Sequence, residues 1–176
     1  MKVEPTRSLA ELIRAVPDFP EPGILFRDIT PLLLDPVAMY EVVARLAERY
    51  SGRGIERVAA IESRGFLFGA PLALTLGAGL VPVRKLGKLP RATRVREYAL
   101  EYGTNHLELH VDAIEPGQRV VIVDDVLATG GTARATVDLV EEAGGRVDGV
   151  AFLIEIAGLG GRAKLSDQEV VSLLEF

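Results

Sequence analysis

Apolar and polar residues alternate in blocks along the chain, and the blocks predict strands and helices in turn. Short apolar runs rich in β-branched residues, each followed by a polar turn, are typical of buried strands in a parallel sheet. We predict such strands at 57–61, at 80–84, from Val120 onward, at 147–156 and at 169–174. Apolar residues at helical spacing predict helices at 6–16, 35–50, 66–76 and 131–143. The pattern therefore predicts an α/β fold, with a mostly parallel twisted sheet flanked by helices and joined by right-handed crossovers.

Two segments depart from this pattern. Residues 19–33 carry three prolines and a glycine among apolar side chains, which excludes a regular helix or a central strand and predicts an ordered loop. Within residues 94–111 the period changes: Leu107, Leu109 and Val111 alternate with polar residues, which predicts a half-exposed strand there. With residues 98–102 as its partner, this strand would form a hairpin outside the parallel core, and the charged residues before it are typical of a mobile flap.

Length and charge narrow the classes of function. A chain of 176 residues suits one domain, and a formal net charge of −5 argues against a nucleic-acid-binding face, which needs clustered basic residues. The sequence contains neither an apolar run of membrane length nor the apolar core of a signal peptide, so we expect a soluble, cytoplasmic protein. The absence of cysteine excludes disulfides, a thiol nucleophile and a cysteine metal site.

The strongest chemical signal follows the run at Val120. Asp124 and Asp125, the acid pair, stand at the carboxyl end of this predicted strand, where open α/β sheets place their sites. The turn that follows at 128–132, the phosphate loop, offers N–H groups at the positive end of the next helix, which is typical of anion binding. It consists of Ala128, Thr129, Gly130, Gly131 and Thr132. Carboxylates would repel a phosphate unless they bind sugar hydroxyls or a metal ion, so a phosphorylated sugar fits both features, whereas the spacing matches neither the Walker nor the dinucleotide motif.

Two more polar turns are candidate anion sites. Ser63 and Arg64 follow a predicted strand, and an arginine fork suits a diphosphate, although a solvated turn residue also explains Arg64. A basic loop at the end of the next strand contains Arg84, Lys85 and Lys88. On its own, such a run is more often a solvated loop than a site.

Three other patterns are open to two interpretations. Phe26 with Arg27 suits a sandwich around a planar ligand, but the loop 19–33 equally suits a lid over one edge of the core. The HLELH string at 106–110 places three polar side chains on one face, but it lacks the helical spacing of zinc sites, and an exposed polar face explains it. The GLGGRAK string at 158–164 lacks the Walker spacing, and we interpret it as a turn.

Five strings, in matching order, resemble the type I phosphoribosyltransferases, and in particular the members of that family that act on adenine. They are FPEPGILFRDI at 19–29, ESRGF at 62–66, RKLGKLP at 84–90, YALEYG at 98–103 and VVIVDDVLATGGT at 120–132. The resemblance extends from Phe19 to Leu174. It implies the type I phosphoribosyltransferase fold in one domain of residues 1–176, with an N-terminal hood and base-binding loop over about 1–34 and a flap hairpin over about 91–111.

The implied reaction transfers ribose 5-phosphate from phosphoribosyl pyrophosphate (PRPP) to N9 of adenine and gives AMP and pyrophosphate, a step of purine salvage. Magnesium is the implied cofactor, and it would reach the acid pair through PRPP rather than through a ligand set of its own. The resemblance also implies a homodimer, in which a basic residue of the 84–90 loop reaches the partner's site.

The resemblance gives each candidate residue a role. The implied contacts to ribose and phosphates come from Asp124, Asp125, the phosphate loop, Ser63, Arg64, Arg84, Lys85 and Lys88. The implied base-binding residues are Leu25, Phe26 and Arg27. Arg64 and Glu101 are the implied catalytic residues, and Glu101 would lie over the base and handle its proton. Tyr98 and Tyr102 would belong to the closing flap.

Two other functions remain to be separated from this one. A sister enzyme for hypoxanthine, guanine or xanthine would share the PRPP loops, but the N-terminal loop favours adenine. A regulator that senses PRPP and binds nucleic acid would need a further domain or a basic face, and the acidic sequence shows neither. Assays of the four bases with PRPP separate these functions.

Overall fold

The computed structural model describes residues 8–99 and 104–176. The chain forms two compact units, Met1–Ala44 and Arg45–Phe176. The expectation that both belong to one domain stays a prediction.

The first unit is built around a small antiparallel pair. A 3₁₀ turn at Leu9–Leu12 precedes strand β1 (Arg14–Pro17), which pairs with β2 (Leu25–Asp28). The helix predicted at 6–16 is therefore wrong, because in the described residues the helical turn ends at Leu12 and the chain becomes extended. A residue that precedes proline is pushed towards extended backbone, and Pro17 imposes this on the end of the segment.

The segment predicted as a loop at 19–33 also contains regular structure. It includes β2 and a short helix α1 (Thr30–Leu33). Pro20 and Pro22 lie in the connection between β1 and β2, outside both strands. Pro31 lies in the first turn of α1, where a missing N–H removes no helical hydrogen bond. The prolines therefore limit the regular elements here without excluding them.

Helix α2 (Pro36–Tyr50) confirms the prediction for 35–50, including its cap. Asp35 Oδ1 accepts hydrogen bonds from the backbone N–H groups of Val37 (2.9 Å) and Ala38 (3.1 Å). These N–H groups have no partner inside the helix, so the carboxylate stabilises the helix start. Gly52 follows the helix end with φ of 74°.

The second unit contains the main sheet. Its strands are β3 (Arg57–Ile61), β4 (Gly79–Lys85), β5 (Thr93–Ala99), β6 (Thr104–His110), β7 (Arg119–Leu127), β8 (Arg146–Glu155) and β9 (Val170–Glu175). Its helices are α3 (Gly65–Leu76) and α4 (Gly131–Glu142), and 3₁₀ turns at Ala157–Leu159 and Gly161–Leu165 follow β8. Among the described strands the order is β5-β6-β4-β3-β7-β8-β9. Strands β4, β3, β7, β8 and β9 are parallel, which confirms the predicted α/β class.

Strand β7 is the centre of the sheet. It lies between β3 and β8, and its residues 120–123 are fully buried. An uninterrupted apolar run is what a strand covered on both faces requires. Because Ala60 of β3 pairs with Val123 of β7, the turn after β3 and the acid pair of β7 lie at the same edge of the sheet.

The hairpin of β5 and β6 lies outside the parallel strands, as predicted, but its first strand begins at Thr93 rather than at Tyr98. Strand β6 pairs antiparallel with the end of β4, Arg84 opposite Glu108, and so continues the main sheet. Glu108 was expected on an exposed polar face, whereas only 2% of it is exposed. The strand was predicted correctly from the alternation. The face that carries Glu108 was wrongly predicted to be exposed, because the chain after β4 covers that face.

Helix α3 has apolar residues on all sides. Phe68 and Leu72 are buried, while Leu67 is 42% exposed and Leu74 is 85% exposed. Residues seven apart lie on one helix face, so the exposed leucines form an apolar patch. No helix in the described part of the chain combines the length and the apolar character that a membrane crossing requires.

Candidate functional site

The acid pair lies inside the carboxyl-terminal half of β7. Asp125 is buried, with 4% exposed, and Asp124 is half-buried. The backbone N–H of Asp125 donates to Asp124 Oδ1 at 2.8 Å. Burial and the neighbouring Asp125 carboxylate raise the pKa of Asp124 well above its usual range. Asp124 therefore needs further positive charge or hydrogen-bond donors, which a cation or a sugar hydroxyl supplies.

The phosphate loop and Asp124 of the acid pair share one small cavity. Its volume is about 70 Å³, and its walls include Asp124 and the residues Ala128, Thr129, Gly130, Gly131 and Thr132. Gly130 has a left-handed φ of 77° and directly precedes α4, so the first N–H groups of the helix border the loop. Free N–H groups and the helix dipole favour an anion there.

The turn after β3 lies next to the acid pair. Arg64 Nε donates a hydrogen bond to the Asp125 carboxylate. Gly65 explains the close approach, because a Cβ there would lie 2.8 Å from the Val123 carbonyl and 3.1 Å from Asp124 Oδ1. The peptide bond between Glu62 and Ser63 is cis, which no sequence pattern predicted. Ser63 is exposed beside Arg64.

A buried carboxylate shapes the basic loop. Glu108 Oε1 accepts hydrogen bonds from the backbone N–H groups of Lys88 and Leu89, both at 2.8 Å. Its Oε2 accepts one from Thr93 Oγ1 at 3.2 Å. Burial alone would raise the pKa of Glu108, but the N–H groups of Leu89, Lys88 and Gly87 hold it below its ordinary value. The sequence placed Glu108 on an exposed face and did not predict this role, because strand alternation does not show which groups a carboxylate binds.

A second carboxylate orients Arg84. Arg84 Nε donates to Glu62 Oε2 at 3.2 Å, and the backbone N–H of Lys85 donates to the same oxygen at 3.1 Å. Arg84 Nη1 also donates to the Lys88 carbonyl at 3.1 Å. Arg84 therefore supports the loop from inside, while Lys85 and Lys88 are exposed.

The candidate base-binding residues lie on β2, in the first unit. Leu25 is exposed, and Phe26 and Arg27 are half-buried. The Phe26 ring meets that of Phe19 edge to face, with centroids 5.1 Å apart. On the hairpin, Tyr98 is half-buried and lies opposite Asn105. Glu101 and Tyr102 lie outside the described residues.

The donor set fits magnesium held together with a substrate. Within residues 8–99 and 104–176, no group of three or more His, Asp or Glu side chains is arranged to hold a metal by itself. Magnesium typically uses one or two carboxylates and takes its remaining ligands from phosphates and water. Two adjacent carboxylates, Asp124 and Asp125, match that requirement.

Comparison with known proteins gives a consistent result. The model of the phosphoribosyl transferase domain matches residues 33–173. The chain is 57% identical to the adenine phosphoribosyltransferase of Chloroflexus aurantiacus over 170 residues, which are 97% of this chain and 98% of that protein. The crystal structure of adenine phosphoribosyltransferase from Thermoanaerobacter pseudethanolicus superposes with a TM-score of 0.92 at 55% identity, covering 96% of this chain and 98% of that one.

A solved complex extends the comparison to ligands. The Saccharomyces cerevisiae adenine phosphoribosyltransferase, crystallised with an imino-altritol 1,6-bisphosphate and adenine, matches with a TM-score of 0.89 at 40% identity. The match covers 94% of this chain and 96% of that one. The likeness therefore extends along nearly the whole chain.

Proposed function

The chain belongs to the phosphoribosyltransferase family, among the adenine phosphoribosyltransferases, and we propose that its acid pair, phosphate loop and Arg64 together bind PRPP. The enzyme transfers ribose 5-phosphate from PRPP to adenine, yielding AMP and pyrophosphate in purine salvage. The observation that carries the proposed assignment of residues is the single cavity lined by Asp124 and the whole phosphate loop.

A direct assay tests the activity. Mixing the enzyme with PRPP, adenine and magnesium should release pyrophosphate, and hypoxanthine, guanine or xanthine in place of adenine should release far less. No pyrophosphate with any of the four bases would contradict the function. Equal release with another base would contradict the selectivity for adenine.

In this proposal the donor sugar is held from two sides. The N–H groups of the phosphate loop and the hydroxyls of Thr129 and Thr132 bind the 5-phosphate at the start of α4. Asp124 and Asp125 accept hydrogen bonds from the ribose 2- and 3-hydroxyls. The cavity supports this arrangement, because Asp124 and the phosphate loop line it together.

The chemical difficulty lies at the bond to the leaving pyrophosphate. As that bond lengthens, negative charge grows on the diphosphate and positive charge on the ribose carbon. Arg64 and the N–H groups around Ser63 stabilise the negative charge, and the acid pair lies on the side of the positive charge. Magnesium, when bound with PRPP beside Asp124 and Asp125, supplies further positive charge to the diphosphate and ribose oxygens.

The base side of the proposal uses two segments. Leu25, Phe26 and Arg27 bind adenine, with the Phe26 ring available for stacking and the main chain for donor and acceptor contacts. Glu101 handles the proton of the base. A flap that includes Tyr98 and Tyr102 closes over both substrates and excludes water, which would otherwise hydrolyse PRPP.

We also propose a homodimer in the cytoplasm. The exposed leucines of α3, together with Leu80 of β4, which is 41% exposed, form an apolar surface suited to a second copy, and Lys88 of the basic loop would reach the partner's site. A monomeric mass by light scattering would contradict the dimer.

PRPP is too highly charged to cross a bilayer unaided, so the enzyme works where PRPP is made. Recovery from a membrane or external fraction would contradict this location.

Glu108→Gln is expected to raise KM for PRPP about tenfold with a smaller change in kcat, because the basic loop loses its charged anchor and small displacements of binding groups are costly. The free energy of unfolding should fall by about 1–3 kcal/mol at neutral pH. A depressed pKa stabilises the folded protein above the unfolded value near 4.5, and this contribution disappears as the pH falls through the folded pKa. The difference in stability between wild type and variant should therefore shrink in acid.

Steady-state kinetics and denaturant titrations at several pH values measure both effects. Glu97→Gln is the matched control, because Glu97 lies on the neighbouring strand, is exposed and pairs with the half-exposed His106, Oε2 to Nε2 at 3.1 Å. A Glu108 variant with the KM of wild type would show that the carboxylate does not position the loop.

A further inference from the structure

The GLGGRAK string at 158–164 lies directly against the phosphate loop. It follows β8, and Gly161 begins the second of the two 3₁₀ turns. A Cβ placed on Gly161 would overlap the Ala128 carbonyl oxygen and would lie 3.0 Å from the Gly130 nitrogen and 2.9 Å from Leu127 Cδ1. The string therefore forms a turn, as predicted. Its contact with the phosphate loop was not predicted from the sequence.

The contact is reciprocal. A Cβ placed on Gly130 would lie 2.5 Å from the Gly161 carbonyl oxygen. Two backbone segments thus cross here with no side chain between them. Gly130 also needs its left-handed backbone, but Gly161 is not among the glycines with positive φ. At Gly161, glycine is required by space alone.

Hydrogen bonds join the turn at 158–165 and the residues just after it to β8, β9 and α4. Arg162 Nε donates to Glu155 Oε1 on β8 at 2.9 Å, and Arg162 Nη1 donates to the Val170 carbonyl at the start of β9 at 3.1 Å. Leu165 is fully buried. Beyond the turn, both oxygens of Asp167 accept hydrogen bonds from Arg134 of α4, at 2.9 Å. The turn cannot retreat from the phosphate loop without breaking these contacts.

We propose that Gly161 is a positioning residue for phosphate binding. Gly161 touches no substrate. Its contact with Ala128 and Gly130 determines the position of their backbone, and therefore the direction of the N–H groups that bind the 5-phosphate of PRPP and of AMP. This inference rests on the proposed role of the phosphate loop. Because the Ala128 carbonyl is backbone, it cannot rotate away from an added methyl group, so the loop itself must move.

Gly161→Ala tests this role, with Gly158→Ala as the matched control. Both positions adopt backbone conformations open to alanine, but a Cβ on Gly158 meets nothing within 4 Å. For Gly161→Ala we expect KM for PRPP and Kd for AMP to rise about 10- to 100-fold, since a displacement of roughly 1 Å can cost about 100-fold. KM for adenine should change less than about twofold, and Gly158→Ala should match wild type in every constant.

A purely structural role gives a different result. It would lower the melting temperature and the active fraction of Gly161→Ala while leaving KM for PRPP and Kd for AMP at their wild-type values, and that result would overturn the inference. Binding of ribose 5-phosphate to the wild type and to Gly161→Ala tests the role of the phosphate loop separately from the role of Gly161. If wild type does not bind it, the role of the phosphate loop fails; if wild type and Gly161→Ala bind it equally, only the role of Gly161 fails.

Arg162→Lys keeps the test decisive if Gly161→Ala does not fold. Lysine retains the charge but cannot reproduce the paired hydrogen bonds of the guanidinium to Glu155. Loosening the turn without a steric clash should raise KM for PRPP about three- to tenfold. An unchanged KM for PRPP in Arg162→Lys would overturn the inference.

Discussion

Replacing Asp124 and Asp125 together with asparagine is expected to lower kcat/KM for PRPP by on the order of 10³-fold with little change in the melting temperature. A hydrogen bond to a charged group contributes about 1.5–3 kcal/mol, and about 1.4 kcal/mol corresponds to tenfold, so losing two such bonds to the ribose hydroxyls gives this magnitude. Asparagine keeps the shape of the side chain and removes only the charge.

The stability expected for this variant depends on the interactions of the two carboxylates in the enzyme without substrate. Burial and repulsion by Asp125 raise the pKa of Asp124, so ionising Asp124 destabilises the folded protein. A raised carboxyl pKa means that stability is highest below the unfolded pKa of about 3.8 and is lost as the pH rises towards the folded value. The double variant lacks this loss but also gives up the ion pair between Arg64 and Asp125, so its melting temperature at neutral pH should stay close to that of wild type.

Initial-rate kinetics measure kcat/KM for PRPP, and thermal denaturation of the same preparation measures the melting temperature. Asp112→Asn is the matched control: Asp112 is exposed and forms a surface ion pair with Arg91 at 3.4 Å, which contributes little. Its kcat/KM should stay within about twofold of wild type. A double variant with nearly wild-type kcat/KM would remove the acid pair from the binding of ribose.

Glu101→Gln is expected to lower kcat by about 10²- to 10⁴-fold, with little change in Kd for PRPP, because general acid–base catalysis typically contributes that much. Glutamine retains hydrogen bonding to the base but cannot take its proton. The pH dependence of kcat should lose its acidic limb at the same time, since that limb reports the ionisation of the base.

Single-turnover rates and equilibrium binding of PRPP separate chemistry from binding. Glu97→Gln is the control, because it removes an exposed carboxylate four positions earlier in the chain, and its kcat should equal that of wild type. The alternative is that the N9 proton leaves late or passes to water. In that case Glu101→Gln turns over at the wild-type rate, and Glu101 has no part in the mechanism.

The central strand and its loop were predictable because their signals are local. An uninterrupted apolar run from Val120, two acids and a small-residue turn can each be read within a few positions, and β7 and α4 lie where those signals place them. The N-terminal segment shows the limit of such signals. Leu9, Leu12 and Ile13 have helical spacing, yet beyond Leu12 the chain pairs as a strand with residues after a long turn, a partner that spacing cannot reveal.

The contacts that shape the candidate site were not predictable from the sequence. The partner of Arg64 is Asp125 because β3 lies beside β7, and Glu108 reaches the backbone of Lys88 because β6 pairs with β4. Strand order decides both, and a single sequence gives no measure of it. Gly161 is a similar case, since its role depends on a backbone that crosses it from a distant part of the chain.

The place of β7 between β3 and β8 has a consequence for the kinetics of folding. The pairing of Arg57 with Val120 closes a loop that contains α3, β4 and the whole hairpin, and the entropy lost in that closure is offset only once the strands meet. A folding transition state without this pairing also lacks the contact between Arg64 and the acid pair. PRPP binds only the completed site, so it stabilises the native enzyme by slowing its unfolding and leaves the rate of refolding unchanged.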